Sequence, residues 1–80
     1  MARVQFSDVF VERQDGRLEC RQRTCIAGTT LSLGTRFTKG SSFSGVNISQ
    51  YSDHDLEIKI EGDVLFVKDV YSPTGVIPVS

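Results

Sequence analysis

His54 is the only histidine in this 80-residue chain, and it lies in the run Ser52-Asp53-His54-Asp55. A hydroxyl, an imidazole and carboxylates are the groups of a Ser-His-Asp relay, so this run is the first place to look for nucleophilic or acid–base chemistry. Such a relay needs side chains that meet from separate parts of the chain, with the acid orienting the base. Adjacent residues in a turn do not meet in this way. We therefore expect no catalytic residue, and we expect that the protein is not an enzyme.

Binding of a metal ion or a cofactor would also require ligand residues or glycines at characteristic spacings in the sequence. Asp53, Asp55 and Asp63 lack the spacing of a calcium-binding loop, and the chain contains neither a P-loop nor a G-x-G-x-x-G motif. The two cysteines, Cys20 and Cys25, form no C-x-x-C pair that would bind zinc together with histidine. Their odd spacing would put them on opposite faces of one strand, so we expect reduced, partly buried thiols. We predict no metal and no cofactor.

A cluster of arginines is the clearest candidate for binding an anion. Arg17, Arg21 and Arg23 have the same parity, so on one strand they would line one exposed face. Such a row offers planar forks of donors that suit phosphate. The simpler interpretation is an exposed strand face that charge keeps soluble, and we hold both interpretations.

The elements that would position these residues are strands. Leu56, Ile58 and Ile60 alternate with charged residues, which is typical of a half-buried strand. Gly62-Asp63 then predicts a tight hairpin turn, because glycine readily adopts the positive φ that such turns need. The apolar run 64–67 follows and suits a strand that is covered on both faces.

The rest of the chain also shows short strand patterns separated by turn motifs. Strand patterns occur around residues 4–6, 46–49 and 76–77, and Asp15-Gly16 predicts the turn of a hairpin over residues 9–23. Apolar residues nowhere recur at helical spacing over eleven residues or more. We predict one all-β domain over residues 1–80, a small antiparallel β-sandwich or barrel of seven to eight short strands.

Composition and charge bear on assembly and location. An 80-residue domain buries a marginal core, so oligomerisation is a common source of further stability. Residues 1–40 carry seven Lys and Arg against four Asp and Glu, a net charge of +3, whereas residues 41–80 carry two against six, a net charge of −4. Opposite charges suit head-to-tail packing of identical subunits, although a solvated, unevenly charged surface is an equal alternative. The sequence shows no signal peptide and no membrane span, so we expect a cytoplasmic homo-oligomer without a membrane partner.

One stretch resembles a known family. The residues Gln50-Tyr51-Ser52-Asp53-His54, Ile58-Lys59-Ile60, Gly62-Asp63 and Leu65 resemble, without a gap, the core of the tryptophan-activated RNA-binding attenuation protein family, TRAP. The resemblance implies a β-sandwich whose sheets continue across subunits into a closed ring. It also implies that tryptophan, or another small amino-acid-like ligand, binds between subunits. The candidate ligand-binding residues are Thr35, Gln50, Ser52 and His54.

The resemblance also implies RNA binding in transcription regulation, with Phe37 stacking on a base and Lys59 contacting phosphate. Two departures bear on these roles. Leu56 stands where the family has a serine, which removes a hydroxyl from the ligand site. Glu61 stands where the family has an arginine, and a negative charge there repels the phosphates that dominate affinity for nucleic acid.

Two other functions remain open at the level of sequence. Arg17 and Arg21 followed by Asn47-x-Ser49 resemble the motifs with which PilZ domains bind cyclic dinucleotides, although Ser52 stands where that family has glycine. The third possibility is a small structural or protein-interaction β-domain, of phage or accessory origin, that works through protein contacts alone.

Overall fold

Residues 1–79 are described in a computed structural model, and they form nine strands, one turn of α-helix and one 3-10 helix. The strands are β1 (Ala2–Gln5), β2 (Phe10–Glu12), β3 (Leu18–Cys20), β4 (Arg23–Ile26), β5 (Thr29–Leu31), β6 (Arg36–Phe37), β7 (Asp55–Glu61), β8 (Val64–Ser72) and β9 (Gly75–Pro78). The helix α1 spans Phe6–Val9, and the 3-10 helix spans Ile48–Tyr51. The prediction of a small β domain is confirmed, with at least one strand more than expected.

The strands form two sheets that share one core. The larger sheet has the order β1-β7-β8-β4-β5, with β9 paired to the second half of β8, and the smaller sheet has the order β2-β3-β6. All ladders are antiparallel except the one between β4 and β8, so the predicted antiparallel architecture is corrected there to a mixed sheet. A parallel pair needs a long connection, and residues 27–63 supply it.

The predicted β7–β8 hairpin forms, and it lies at the centre of the larger sheet. Glu61 pairs with Val64 across a two-residue turn in which Gly62 has φ +63°. Leu56 and Ile58 are buried on the inner face, whereas Ile60, on the same face at the end of the sheet, is 57% exposed. The alternation therefore identified the correct inner face, and the core ends before Ile60.

The predicted hairpin over residues 9–23 is confirmed in part: β2 and β3 form a hairpin in the smaller sheet, whereas Val9 ends α1 and Arg23 begins β4 in the larger sheet. Phe10 pairs with Cys20, and the connecting loop contains Gly16 at φ +82°. The two cysteines are free and buried, but they lie in different sheets rather than on one strand.

One turn of helix follows β1 and includes Phe6, which the sequence pattern around residues 4–6 had placed in the first strand. The backbone N–H of Gln5 donates to the Asp8 carboxylate over 2.9 Å, which holds the start of α1. Phe6, Val9 and Phe10 have i, i+3, i+4 spacing, and the helical turn directs all three into the core. A single turn is too short for helical periodicity to be visible over eleven residues.

The strand predicted at residues 46–49 does not form. Val46 makes only an isolated bridge to Phe43, and the chain then enters the 3-10 helix. The Ser49 hydroxyl donates to Asn47 Oδ1 over 2.6 Å and accepts the N–H of Gly40 over 2.9 Å. These side-chain hydrogen bonds offer the backbone an alternative to a sheet ladder.

The core is one continuous cluster between the sheets, and it includes Ile48 from the 3-10 helix. Three aromatic rings pack together at the end of the core that lies near the smaller sheet. The ring of Phe37 is nearly perpendicular to the rings of Phe10 and Phe43, at centroid distances of 5.7 and 5.0 Å. The other main contributors are Leu18, Ile26, Leu56, Ile58, Leu65, Val67 and Val70. This packing fixes the loop of residues 38–46 against the small sheet.

Candidate functional site

A polar cleft lies where the start of α1 meets the turn that follows the 3-10 helix. It is open, has a volume of about 220 Å³, and includes two of the four predicted ligand-binding residues, Ser52 and His54. The remaining lining residues are Gln5, Phe6, Ser7, Asp53 and Asp55. Amide, hydroxyl, imidazole and carboxylate groups around one phenylalanine suit a small ligand that carries polar ends and an apolar part.

The imidazole of His54 is held in place by main-chain contacts. Its Nδ1 lies 3.1 Å from the carbonyl oxygen of Tyr71, and its backbone N–H donates to the Tyr51 carbonyl over 2.9 Å. A carbonyl oxygen only accepts, so Nδ1 is the donor in this contact. The ring also packs edge-on against Tyr51 at 6.0 Å. A backbone carbonyl rather than a carboxylate thus orients the imidazole of His54, and the run Ser52-Asp53-His54-Asp55 does not form a Ser-His-Asp relay.

Thr35 and Gln50 are placed apart from this cleft. The Thr35 carbonyl accepts the N–H of Cys20 over 2.9 Å, which ties this loop to the end of β3. Gln50 is exposed on the 3-10 helix. Within one chain the structure therefore brings together Ser52 and His54 but neither Thr35 nor Gln50. Leu56, which occupies the position of a serine in the resembling family, is a fully buried core residue.

The two residues predicted to bind RNA have different environments. Phe37 is 8% exposed and packs between two other rings, so its face is covered in this conformation. Lys59 is exposed on β7, but its ammonium lies 2.9 Å from the Glu61 carboxylate. That contact raises the pKa of Lys59 and lowers the pKa of Glu61. The pair presents little net charge to a phosphate.

The predicted row of arginines does not form on one strand. Arg17 precedes β3, Arg21 follows it, and Arg23 begins β4 in the other sheet, because the chain crosses between sheets at this point. The Arg21 guanidinium donates to the Ser7 carbonyl over 3.1 Å, and Arg23 lies 3.5 Å from the Asp63 carboxylate. Asn47 and Ser49, which resemble the second dinucleotide-binding element, bond to each other.

Sequence reasoning missed a network on the outer face of the larger sheet. Arg3 Nε donates to Asp55 Oδ2 over 2.9 Å, and its guanidinium lies 4.2 Å above the ring of Tyr71. The Tyr71 hydroxyl in turn bonds to Glu57, and this bond raises the pKa of Tyr71. These residues come from three strands, and no local spacing in the sequence could reveal them.

A second network, on the smaller sheet, has Glu19 at its centre. The Glu19 carboxylate accepts bonds from Arg13 over 2.5 Å and from Arg36 over 2.8 Å. These two guanidiniums lower the pKa of Glu19 to about 2. Because β2, β3 and β6 are adjacent, Val11, Glu19 and Arg36 lie side by side on the outer face.

The thiols and acidic groups give no further site in this part of the chain. Burial raises the pKa of Cys20 to about 11, which disfavours the reactive thiolate. Among residues 1–79, no three His, Cys, Asp or Glu side chains converge where a metal ion could be held.

Neither helix of the described residues has the length or apolar content to cross a bilayer.

In comparisons with known proteins, no family model, curated protein or solved structure matches this chain.

Proposed function

We propose that this chain is a non-enzymatic, TRAP-like binding protein that assembles into an oligomer by continuing its larger sheet from one copy to the next. The ligand in this proposal is a small amino-acid-like molecule, with tryptophan as the first candidate. The observation that carries the proposal is an apolar cleft beside an unpaired sheet edge. Both features belong to β1 and its neighbour β7.

The edge is the outer side of β1. Among residues 1–79 this strand ends the larger sheet and pairs only with β7, and Ala2, Arg3 and Gln5 are exposed. Unpaired strand edges are ready templates for another strand. At the far end of the same sheet, β5 pairs only with β4. One free edge at each end is the arrangement from which a head-to-tail ring can be built.

The apolar cleft lies next to this edge. Met1, Ala2, Ile58 and Ile60 line an open volume of about 260 Å³, and Met1 and Ile60 are largely exposed. An aliphatic side chain from an added strand would cover Ile60 and extend the core past the end of a single chain. Burial of this area would be favourable, at about 25 cal/mol per Å² of apolar surface.

The polar cleft supports the ligand part of the proposal. Asp53 offers a carboxylate to an ammonium group, His54 and Ser52 offer polar contacts, and Phe6 offers an apolar wall. Because the cleft is open within one chain, a second copy would be needed to enclose a ligand and to supply Thr35 and Gln50. RNA binding has weaker support, since Phe37 is covered and Lys59 is paired with Glu61.

Native mass spectrometry with and without tryptophan tests both parts. We expect a discrete many-copy assembly of the wild-type chain that gains one ligand mass per subunit. Ile60→Ser should shift the distribution towards the monomer, whereas Val76→Ser, at a comparably exposed aliphatic residue on β9, should not. A wild-type chain that remains a monomer would overturn the proposed assembly.

The same experiment tests tryptophan binding separately from assembly. An assembly that takes up no tryptophan would leave the oligomer in place and remove tryptophan as its ligand, in agreement with the loss of a hydroxyl at Leu56. If tryptophan binds, Ser52→Ala should weaken uptake, whereas Thr74→Ala, at an exposed hydroxyl in the turn between β8 and β9, should not.

A further inference from the structure

The outer face of the smaller sheet is a second surface with unusual chemistry. Phe10, Leu18, Cys20 and Phe37 point into the core from this sheet. The alternate residues therefore face outward, and they include Val11 and Glu19. An open cleft lies on this side, and Leu33, beside it in the loop before β6, is 69% exposed.

Two aliphatic side chains form the floor of an open cleft on this face. Val11 and Leu33 line it together with Arg13, Glu19, Cys20 and Arg21, and its volume is about 390 Å³. Leu33 is one of the few large apolar side chains that the fold leaves exposed. The loop that carries it is anchored to β3, since the Gly34 N–H donates to the Cys20 carbonyl over 3.0 Å. The cleft is thus a fixed feature of the sheet.

The charge of this cleft is positive. Its one carboxylate, Glu19, is bound by both Arg13 and Arg36. Arg21 differs from these arginines, because no carboxylate of residues 1–79 lies within 4.0 Å of its guanidinium, which donates to the Ser7 carbonyl. A guanidinium has five N–H donors, so most of those on Arg21 remain for a ligand.

We propose that this cleft binds an acidic, extended segment of another protein. In this arrangement Arg21 takes a carboxylate of the segment, and Leu33 and Val11 pack against an apolar side chain beside it. The charge of the cleft selects an acidic partner, and its exposed aliphatic floor selects a partner that also carries an apolar residue. The site shares no lining residue with the polar cleft at His54.

A second copy of this chain is a poorer occupant. Strand β7 of a second copy carries three carboxylates, and side chains of the same copy already hold all three: Arg3 holds Asp55 and Lys59 holds Glu61 at 2.9 Å each, and Tyr71 holds Glu57. Docking them on Arg21 would first break these contacts. An acidic segment from a different protein has no such cost.

The test is a titration of the protein with a short fluorescein-labelled peptide of alternating Glu and Leu, followed by fluorescence anisotropy. A matched peptide of alternating Lys and Leu is the control for charge, and one of alternating Glu and Ser is the control for apolar contact. We expect the Glu-Leu peptide to bind more tightly than either control peptide. In amide NMR spectra, the peptide should shift the signals of Val11, Arg21 and Leu33.

Variants locate the site. Leu33→Ser and Arg21→Gln should each weaken binding by about tenfold, which is the scale of one lost charge-assisted bond or buried side chain. Arg17→Gln is the matched control, since Arg17 is an exposed arginine without a carboxylate within 4.0 Å among residues 1–79, and it lies outside the cleft. All three positions are exposed, so the variants should fold, and the same NMR spectra check this.

Three results would overturn the proposal. One is the absence of saturable binding up to about 1 mM peptide, which corresponds to a negligible affinity. Another is an equal loss in Arg17→Gln and Arg21→Gln, which would mean diffuse charge attraction. The third is that the Val11 and Leu33 signals shift with protein concentration alone, which would assign this face to contact between copies.

Discussion

At the scale of single residues, position within the fold decides what a side chain contributes. Glu19 is held by two guanidiniums, and its pKa falls from 4.5 to about 2. A carboxyl group whose pKa is lowered by folding stabilises the folded state while it is ionised. The contribution of Glu19 is therefore complete above pH 4.5 and is lost as the pH falls towards 2.

We expect Glu19→Gln to lower the midpoint of thermal unfolding at neutral pH, with a difference from wild type that narrows steadily below pH 4.5. Unfolding followed by circular dichroism from neutral pH to pH 2 measures this. Glu12→Gln is the control, because the Glu12–Lys39 ion pair is exposed and such pairs contribute little. A difference between Glu19→Gln and wild type that stays constant over the whole range would contradict the assigned role.

Leu56 and Ile60 show the same principle for aliphatic side chains. Both lie on the inner face of β7, but Leu56 is fully buried and Ile60 is 57% exposed. We expect Leu56→Ala to lower the free energy of unfolding by about 3 kcal/mol, through lost burial and a cavity. Ile60→Ala should lower it by less than about 1 kcal/mol in the monomer. Urea denaturation of both variants, at a concentration where the wild type is monomeric, compares them, and equal losses would show that the core reaches Ile60.

At the scale of elements, the β7–β8 hairpin organises the larger sheet, and its turn depends on Gly62. This residue has φ +63°, and among residues 1–79 no heavy atom beyond Gly62 and its two chain neighbours lies within 4 Å of the place where a Cβ would stand. A side chain there would thus meet open space, and only the backbone conformation would be strained. The positive φ is unfavourable for most L-residues by about 1 kcal/mol.

We expect Gly62→Ala to lower the free energy of unfolding by about 1 kcal/mol, measured by urea denaturation. Gly62→Asn should lower it by less, because asparagine adopts this conformation more readily. At Gly75, where φ is +144°, an alanine should cost more than at Gly62, since that region is used almost only by glycine. A larger loss for Gly62→Asn than for Gly62→Ala would contradict the backbone explanation.

At the scale of the whole molecule, the distribution of charge over the surface matters more for binding a charged partner than the net charge does. The net charge is −1, yet most carboxylates on the outer faces are held by a neighbouring cation. The Lys59–Glu61 pair is one such case, and it lies on the strand that carries the resemblance to RNA-binding proteins. Nucleic-acid affinity depends mainly on cations that are available to phosphate.

We expect Glu61→Arg to increase binding of single-stranded RNA, because it removes the partner of Lys59 and changes the net charge from −1 to +1. The gain should fall with added salt, with a log–log slope that steepens by about 0.7 per phosphate contacted. Filter binding at several salt concentrations measures both quantities. Thr74→Arg, at an exposed position in the turn between β8 and β9, is the control for added charge alone. An interaction with RNA that stays absent in Glu61→Arg would remove RNA from the proposed function.

The parts of the fold that the sequence by itself determined rest on interactions between near neighbours in the chain. The alternation at Leu56 and Ile58 and the hairpin turn at Gly62 were predicted correctly, because side-chain period and backbone sterics are local. The same reasoning failed at residues 46–49, where the hydrogen bonds of Ser49 reach nine positions back to Gly40. It also missed α1, whose single turn is held by Asp8.

Only the tertiary structure decided which side chains meet. Arg3 reaches Asp55 from 52 positions away, and Ser52 and His54 share a cleft with residues of α1, whereas Thr35 and Gln50 do not. Phe37 became a core residue because Phe10 and Phe43 pack against its ring. Arg21 has no carboxylate of residues 1–79 within 4.0 Å of its guanidinium, which donates to the Ser7 carbonyl. The physical reason is that side-chain period is a property of one strand, whereas contact between strands depends on how the whole chain closes around its core.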